Sequence, residues 1–131
     1  MTTFPLKIVT PDGSFFDGEA EKLIVRAIDG DVCILAKHIP YVTALGVGPG
    51  KVTIQGADRQ AAVNGGMLAV TKEGVRLVAG TFEWAEDIDL QRAQRAKEKA
   101  EARIKAAHDD RELQMAKAKL TRALTRLNVA K

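Results

Sequence analysis

Up to about residue 80, hydrophobic and polar positions change over in short runs. Phe4 to Thr10, Lys22 to Ile28, Val32 to Leu35, Val52 to Gln55, Ala61 to Asn64, Met67 to Thr71 and Val75 to Ala79 are rich in Val, Ile and Thr. Several of them carry the two-residue period of a half-buried strand. Turn signals stand between them: Pro11-Asp12-Gly13, Asp29-Gly30, Gly48-Pro49-Gly50, Gly65-Gly66 and Glu73-Gly74. Short strands at this spacing, with no helical stretch between them, predict antiparallel sheets packed as a sandwich or flattened barrel and speak against a parallel α/β sheet. Cys33, between Val32 and Ile34, reads as a buried strand residue.

Beyond residue 85 the period changes. Ala93, Ala96, Ala100, Ile104 and Ala107 recur at helical spacing, as do Leu113, Ala116, Leu120, Ala123 or Leu124, and Leu127. Asp109 followed by Glu112 fits a capping box, so a second helix starts at Asp109 or Asp110 after a tight turn near Ala107-His108. The chain is therefore expected to hold an all-β sandwich over residues 1–85 and a two-helix hairpin over 86–131. The first helical stripe is nearly all alanine, which buries little area; at roughly 25 cal/mol per Å2 such a seam is weak and able to open.

Composition sharpens this division. All 11 glycines and all 4 prolines lie between Pro5 and Gly80. Up to Glu86 there are 8 Lys and Arg against 10 Asp and Glu; from Asp87 onward there are 12 against 7, so the net charge of +3 belongs to the tail. Arg92, Arg95, Lys99 and Arg103 stack on one face of the first helix, and Lys119, Arg122 and Arg126 on the second. Two readings stay open: a solvated basic face moderated by Glu98, Glu101 and Glu112, or an anion site in which both helices converge on a polyphosphate.

Other chemistry is sparse. A lone cysteine with only His38 and His108 beside it excludes an internal disulfide and a structural zinc site. Gly46 to Lys51 is not a P-loop, since that pattern needs Gly at 45 and Ser or Thr at 52 where this chain has Leu45 and Val52; a turn between strands is expected. His38 and Tyr41 flank Pro40 in an expected loop, with no nucleophile paired to them. Few aromatics mean no stacking platform for single-stranded nucleic acid. No run reaches the roughly 18 apolar residues of a membrane helix, and Met1 to Thr10 lacks the features of a secretion signal, which points to a cytosol-like compartment.

Val9-Thr10-Pro11-Asp12-Gly13 with Phe16 and Gly18, then Gly30, Ile34-Leu35 and His38-Ile39-Pro40, then Gly65-Gly66-Met67-Leu68-Ala69-Val70 and a two-helix tail, resembles the epsilon subunits of bacterial F-type ATP synthases. The resemblance runs from about Phe4 to Asn128. It implies a non-catalytic rotor subunit, peripheral at the cytoplasmic face of the bacterial plasma membrane. The sandwich would dock on the gamma subunit and the c ring, and the tail would extend along the alpha and beta catalytic subunits to inhibit ATP hydrolysis. Neither nucleic acid nor membrane insertion is implied.

Ile88-Asp89-Leu90-Gln91-Arg92-Ala93 looks like that family's ATP-binding signature. By the same resemblance, Asp89 and nearby backbone receive adenine, Arg92 faces the phosphates, Arg122 and Arg126 approach from the second helix, Glu83 is an accessory polar contact and Lys99 adds a point charge. ATP is thus expected as a regulatory ligand, without a metal. His38 and Tyr41 are carried over as contacts to gamma, and Asp29, Gly30 and Asp31 as contacts to the c ring. Two positions depart from the family pattern: Ala36-Lys37 stands where Pro-Gly is usual, and Cys33 where many members have Gly. The alternative reading is a free-standing nucleotide- or nucleic-acid-binding module using the basic hairpin.

Overall fold

The structure, a computed structural model, describes residues 2–130. Its N-terminal part holds β1 (Phe4–Thr10), β2 (Gly13–Ala20), β3 (Lys22–Ala27), β4 (Gly30–Leu35), β5 (Tyr41–Ala44), β6 (Val47–Ile54), β7 (Ala57–Thr71) and β8 (Gly74–Trp84). A 3-10 turn, Ala85–Asp87, leads to α1 (Leu90–Ala106) and α2 (Asp110–Ala130). The strands run in the order β2-β1-β8-β7-β6-β3-β4, with β5 beside β7, and the sheet does not close on itself.

The sheet becomes two layers because β7 and β8 bend together. β7 pairs with β6 from Ala57 to Asn64 and with β5 from Met67 to Val70. Along β7 the buried residues include Ala61 and Val63, then Leu68 and Val70; along β8 they are Val75, Leu77 and Ala79, then Phe82 and Trp84. Both strands thus switch their inward face between odd and even positions at the same corner, which a strand with period 2 does only by breaking its regular twist. Gly65 and Gly66 occupy that corner with φ of 66° and 111°. A Cβ on Gly66 would run into the carbonyl of Val78. Leu6, Ile8, Leu23, Val25, Ile34 and Leu77 fill the space between the layers.

Several expectations are corrected here. Gly65-Gly66 is not a turn between two strands but a bend within one, and Gly48-Pro49-Gly50 lies inside β6, where Pro49 pairs with Ala62. Glycine and proline read as breakers, yet in β6 the absent Gly48 side chain admits the Arg26 side chain, which a Cβ would meet at 2.8 Å. β2, with its polar GSFFDGEA run, and the four-residue β5 gave no strand signal. Tyr41 therefore opens a strand instead of lying in a loop. β1 and β8 pair in parallel from Leu6↔Val75 to Val9↔Val78, so the sandwich is not purely antiparallel. Cys33 is exposed, because β4 ends the sheet and the alternation that buries Ile34 turns its neighbour outward.

The helices form the expected hairpin. Asp89 caps α1, accepting from the Arg92 amide at 3.0 Å. At α2, Asp109 accepts from the Glu112 amide at 2.8 Å while the Glu112 carboxylate accepts from the His108 amide at 3.0 Å, a reciprocal cap one residue wider than a simple box. Ala93, Ala100, Ala116 and Ala123 are buried, whereas Leu124 and Met115 face solvent, so the seam is built of methyl groups. α2 lies on β6 and β7, and α1 packs on α2.

Candidate functional site

The surface that carries α2 is small and polar. Cross-strand rows Val47, Asn64, Thr81 and Pro49, Ala62, Glu83 run across β6, β7 and β8. Of these, Ala62 is buried. Arg126 reaches down from α2 and its Nε lies 2.5 Å from Glu83 Oε1, a partly buried pair that ties hairpin to sandwich. Arg122, one turn earlier, lines the same shallow crevice beside Val47, Asn64 and Thr81.

On the other side of Arg126 a cleft of about 540 Å3 opens between the sandwich and the start of the hairpin. That is within the range of small-molecule sites, about 300–1,000 Å3. Its wall is apolar on the sandwich side, from Phe15, Phe82 and Trp84, and charged on the other, from Asp87, Asp89, Arg92 and Arg126. Phe82 packs against Phe15 with ring centroids 5.5 Å apart and edge-on to Trp84 at 4.8 Å, which makes that wall rigid.

Of the residues carried over as nucleotide ligands, the cleft thus gathers Glu83, Asp89, Arg92, Ala93 and Arg126. Ala93 is buried, donating its amide to Asp89 O at 3.0 Å. Ile88 is half-buried, its amide bonded to Ala85 O at 3.3 Å. The structure places Arg122 next door, in the crevice, and leaves Lys99 exposed on α1 away from both. At this cleft the expected convergence of two basic faces comes down to Arg92 and Arg126; Arg103 and Lys119 line a separate groove at the far end of the hairpin, and Arg95 and Lys99 are exposed on α1. The Asp89 carboxylate is already partly used, because one oxygen caps α1.

The residues carried over as partner contacts lie along one edge. Ile28-Asp29 is the tip of the β3–β4 hairpin, Gly30 takes φ 130° after it, and Asp31 accepts from Arg26 Nε at 3.1 Å. The Ile28 amide bonds Ala44 O at 3.2 Å, so this tip abuts the end of β5, while His38 and Tyr41 meet edge-to-face at its start with centroids 6.3 Å apart. Between them the outer face of β5, β7 and β8 shows Val42, 60% exposed, Met67, 53% exposed, and Val78. The registers Ala44↔Met67 and Met67↔Val78 put Met67 beside Val78, and Val42, opposite Ala69, lies in the next row.

Family models described as the ATP synthase delta/epsilon chain β-sandwich domain and long α-helix domain match residues 3–85 and 86–131. The chain belongs to this family. It is 42% identical over 131 residues to the ATP synthase epsilon chain of Shouchella clausii, covering 100% of this chain and 97% of that one. It is also 42% identical over 130 residues to the ATP synthase epsilon chain of Bacillus velezensis, covering 99% and 98%. Among solved structures, a chain of Euglena gracilis mitochondrial ATP synthase (OSCP/F1/c-ring in rotational state 1) matches with a TM-score of 0.80 at 22% identity, covering 92% of this chain and 77% of that one, and shows the same fold.

The chain is an epsilon chain of ATP synthase and not a catalytic subunit. That membership sets aside the free-standing module. In this epsilon chain the residues that sequence reading did not single out are the aromatic wall, Asp12 and Asp87 of the cleft, and Arg59 and Glu86 beside it. Their only signal was position: Phe82 to Glu86 end the last strand just before the signature, but nothing in a linear pattern joins Asp12 or Phe15 to it.

Proposed function

We propose that this epsilon chain docks through its sandwich on the gamma subunit and the c ring, and that its hairpin is a tail that inhibits ATP hydrolysis and is held folded by ATP in the cleft. One observation carries the second half: Arg92 of α1, Arg126 of α2 and Glu83 of β8 line a single cleft. A ligand bound there touches both helices and the sandwich, so it favours only the folded arrangement. Such a ligand shifts the equilibrium by its differential affinity, about 2.7 kcal/mol at 100 times its dissociation constant, or roughly a hundredfold.

The chemistry suits a nucleoside triphosphate. Arg126 is neutralised by Glu83 in the structure, and a polyphosphate gives Arg126 and Arg92 together a more highly charged, bidentate partner. Asp89 keeps one oxygen for the exocyclic amino group of adenine. Arg122 acts from the adjoining crevice, Lys99 only as a distant charge. No metal enters this reading, nor any nucleic acid.

The docking half is supported by the exposed apolar strip of Val42, Met67 and Val78 between the Tyr41 and Asp29 ends of β5. The Euglena neighbour comes from an assembly that includes F1 and the c-ring. In the described residues no helix is long and apolar enough to cross a membrane, and we place the subunit at the cytoplasmic face of the bacterial plasma membrane through its partners. The released tail then lies along the alpha and beta subunits.

The test is calorimetric titration of the full chain with ATP, ADP and GTP, alongside a distance probe between residues 95 and 122. ATP is expected to bind and to narrow that distance. Arg126→Ala should weaken all triphosphates alike, and Asp89→Ala should reduce the preference for ATP over GTP. A protein that binds no ATP sinks the clasp; binding with an unchanged distance sinks the switch and leaves the site.

A further inference from the structure

Arg59 stands on β7, outside the residues assigned to the nucleotide, yet it contacts both Trp84 of the cleft wall and Glu86 of the turn that follows it. Its guanidinium lies 3.8 Å from the centre of the Trp84 ring. Its Nε and Nη2 reach Glu86 Oε1 at 2.6 and 2.5 Å. Trp84 in turn is buried, with its indole N–H donating to Phe15 O at 3.3 Å, so the platform under Arg59 is fixed to β2. Glu86 belongs to the 3-10 turn that links β8 to the helices.

The connection from Glu86 to α1 is short. Ile88 and Asp89 are both extended, with φ, ψ of −76°, 128° and −80°, 102°, and Asp89 then caps α1. The geometry points to Arg59 as a positioning residue: by pinning Glu86 to the sandwich it fixes where the tail begins, holds Asp89 and Arg92 at the cleft, and makes Ile88-Asp89 the pivot of any tail movement. The use of Asp89 and Arg92 rests on the nucleotide reading above; the pivot does not.

The physical argument is one of geometry more than of strength. The Arg59–Glu86 pair is half exposed, and such pairs alone contribute little. Stacking on a buried indole changes this, because the planar guanidinium is oriented by the ring and presents both nitrogens to the carboxylate with little rotamer freedom left to lose. With the turn held on the sandwich by Arg59, the two extended residues next in the chain, Ile88 and Asp89, are where the tail departs from it.

The experiment uses the full chain with Cys33→Ser, to remove the exposed native thiol, and spin labels at Gln60→Cys with Asp87→Cys, or at Gln60→Cys with Arg95→Cys. The 60–87 distance is expected to be narrow with and without ATP, and the 60–95 distance to respond to ATP. Arg59→Ala should broaden the 60–87 distribution and shift the emission of Trp84, the single tryptophan of the chain. It should also weaken ATP by about fivefold, the scale of one lost cation–π contact and its orienting effect. Arg59→Lys, which keeps the cation but not the fork, should fall between. An unchanged 60–87 distance in Arg59→Ala overturns the anchor. A wild-type chain that binds no ATP overturns the nucleotide reading alone, and the 60–87 distance still decides the anchor.

Discussion

Lys37 holds φ of 66°, the left-handed conformation that glycine adopts freely and a lysine does not. By the resemblance set out above, Ala36-Lys37 stands where Pro-Gly is expected, so the loop keeps a glycine-like shape at a cost. Strain of this kind is worth on the order of 1 kcal/mol, offset in part by the greater freedom of an unfolded glycine. Lys37→Gly is therefore expected to raise stability by about 0.5 kcal/mol and Lys37→Val to lower it by about 1 kcal/mol or more, read from denaturant midpoints at constant slope. Glu86 gives a pH prediction. Its own backbone N–H, and then Arg59, hold its carboxyl below the ordinary glutamate range against the opposing effect of burial. A lowered folded value means that the contribution is complete above the ordinary range and disappears as pH falls through the lowered value. The difference in melting temperature between the wild type and Glu86→Gln should thus be present at neutral pH and vanish in acid. A gap that grows on acidification would contradict this assignment.

At the scale of elements, the corner in β7 and β8 and the alanine seam set opposite standards of rigidity. The corner admits no side chain: Gly66 has φ 111° and its Cβ direction is blocked by Val78 O and the Ala79 backbone. Gly66→Ala should destabilise by about 3 kcal/mol or more, combining backbone strain with a steric clash, and thermal unfolding of the full chain measures it. The helical seam tolerates far more. Ala93, Ala100, Ala116 and Ala123 bury little area, and the contact with the sandwich adds one partly buried ion pair, Arg126 with Glu83. A hairpin held by so little apolar surface can leave without exposing a core, which is the property an inhibitory tail needs. Truncation after His108 should accordingly raise ATP hydrolysis by the assembled complex and leave its assembly intact. Unchanged hydrolysis after loss of all of α2 would remove the inhibitory role from this chain.

For the whole molecule, the function proposed above divides the labour between a sandwich that docks and a hairpin that detaches. Met67 sits at the middle of the exposed strip, paired with Ala44 on one side and Val78 on the other. Met67→Asp should leave the fold unchanged, because the side chain already faces solvent, and should weaken co-purification with gamma at least tenfold, the loss expected when a charge enters an apolar contact. Undiminished binding would move the docking face elsewhere. Much of this architecture is legible in the linear pattern. Alternation in Phe4 to Thr10 and Lys22 to Ile28, the end of all glycines at Gly80, and the cap at Asp109 belong to local preferences of the backbone, which act over a few residues and need no partner. So do the cap position of Asp89 and the helical positions of Arg92, Arg122 and Arg126. What only the tertiary structure decided is everything that depends on a second segment. β2 and β5 are strands because β1 and β7 offer them hydrogen bonds, not because of their own composition. Gly65-Gly66 bends one strand instead of ending it because β8 turns beside it. Arg126 meets Glu83 across 43 positions of the chain, while Lys99, equivalent to it in charge and period, faces solvent. Periodicity specifies which side of a helix is basic; the sheet it lies on selects which of those cations turn inward.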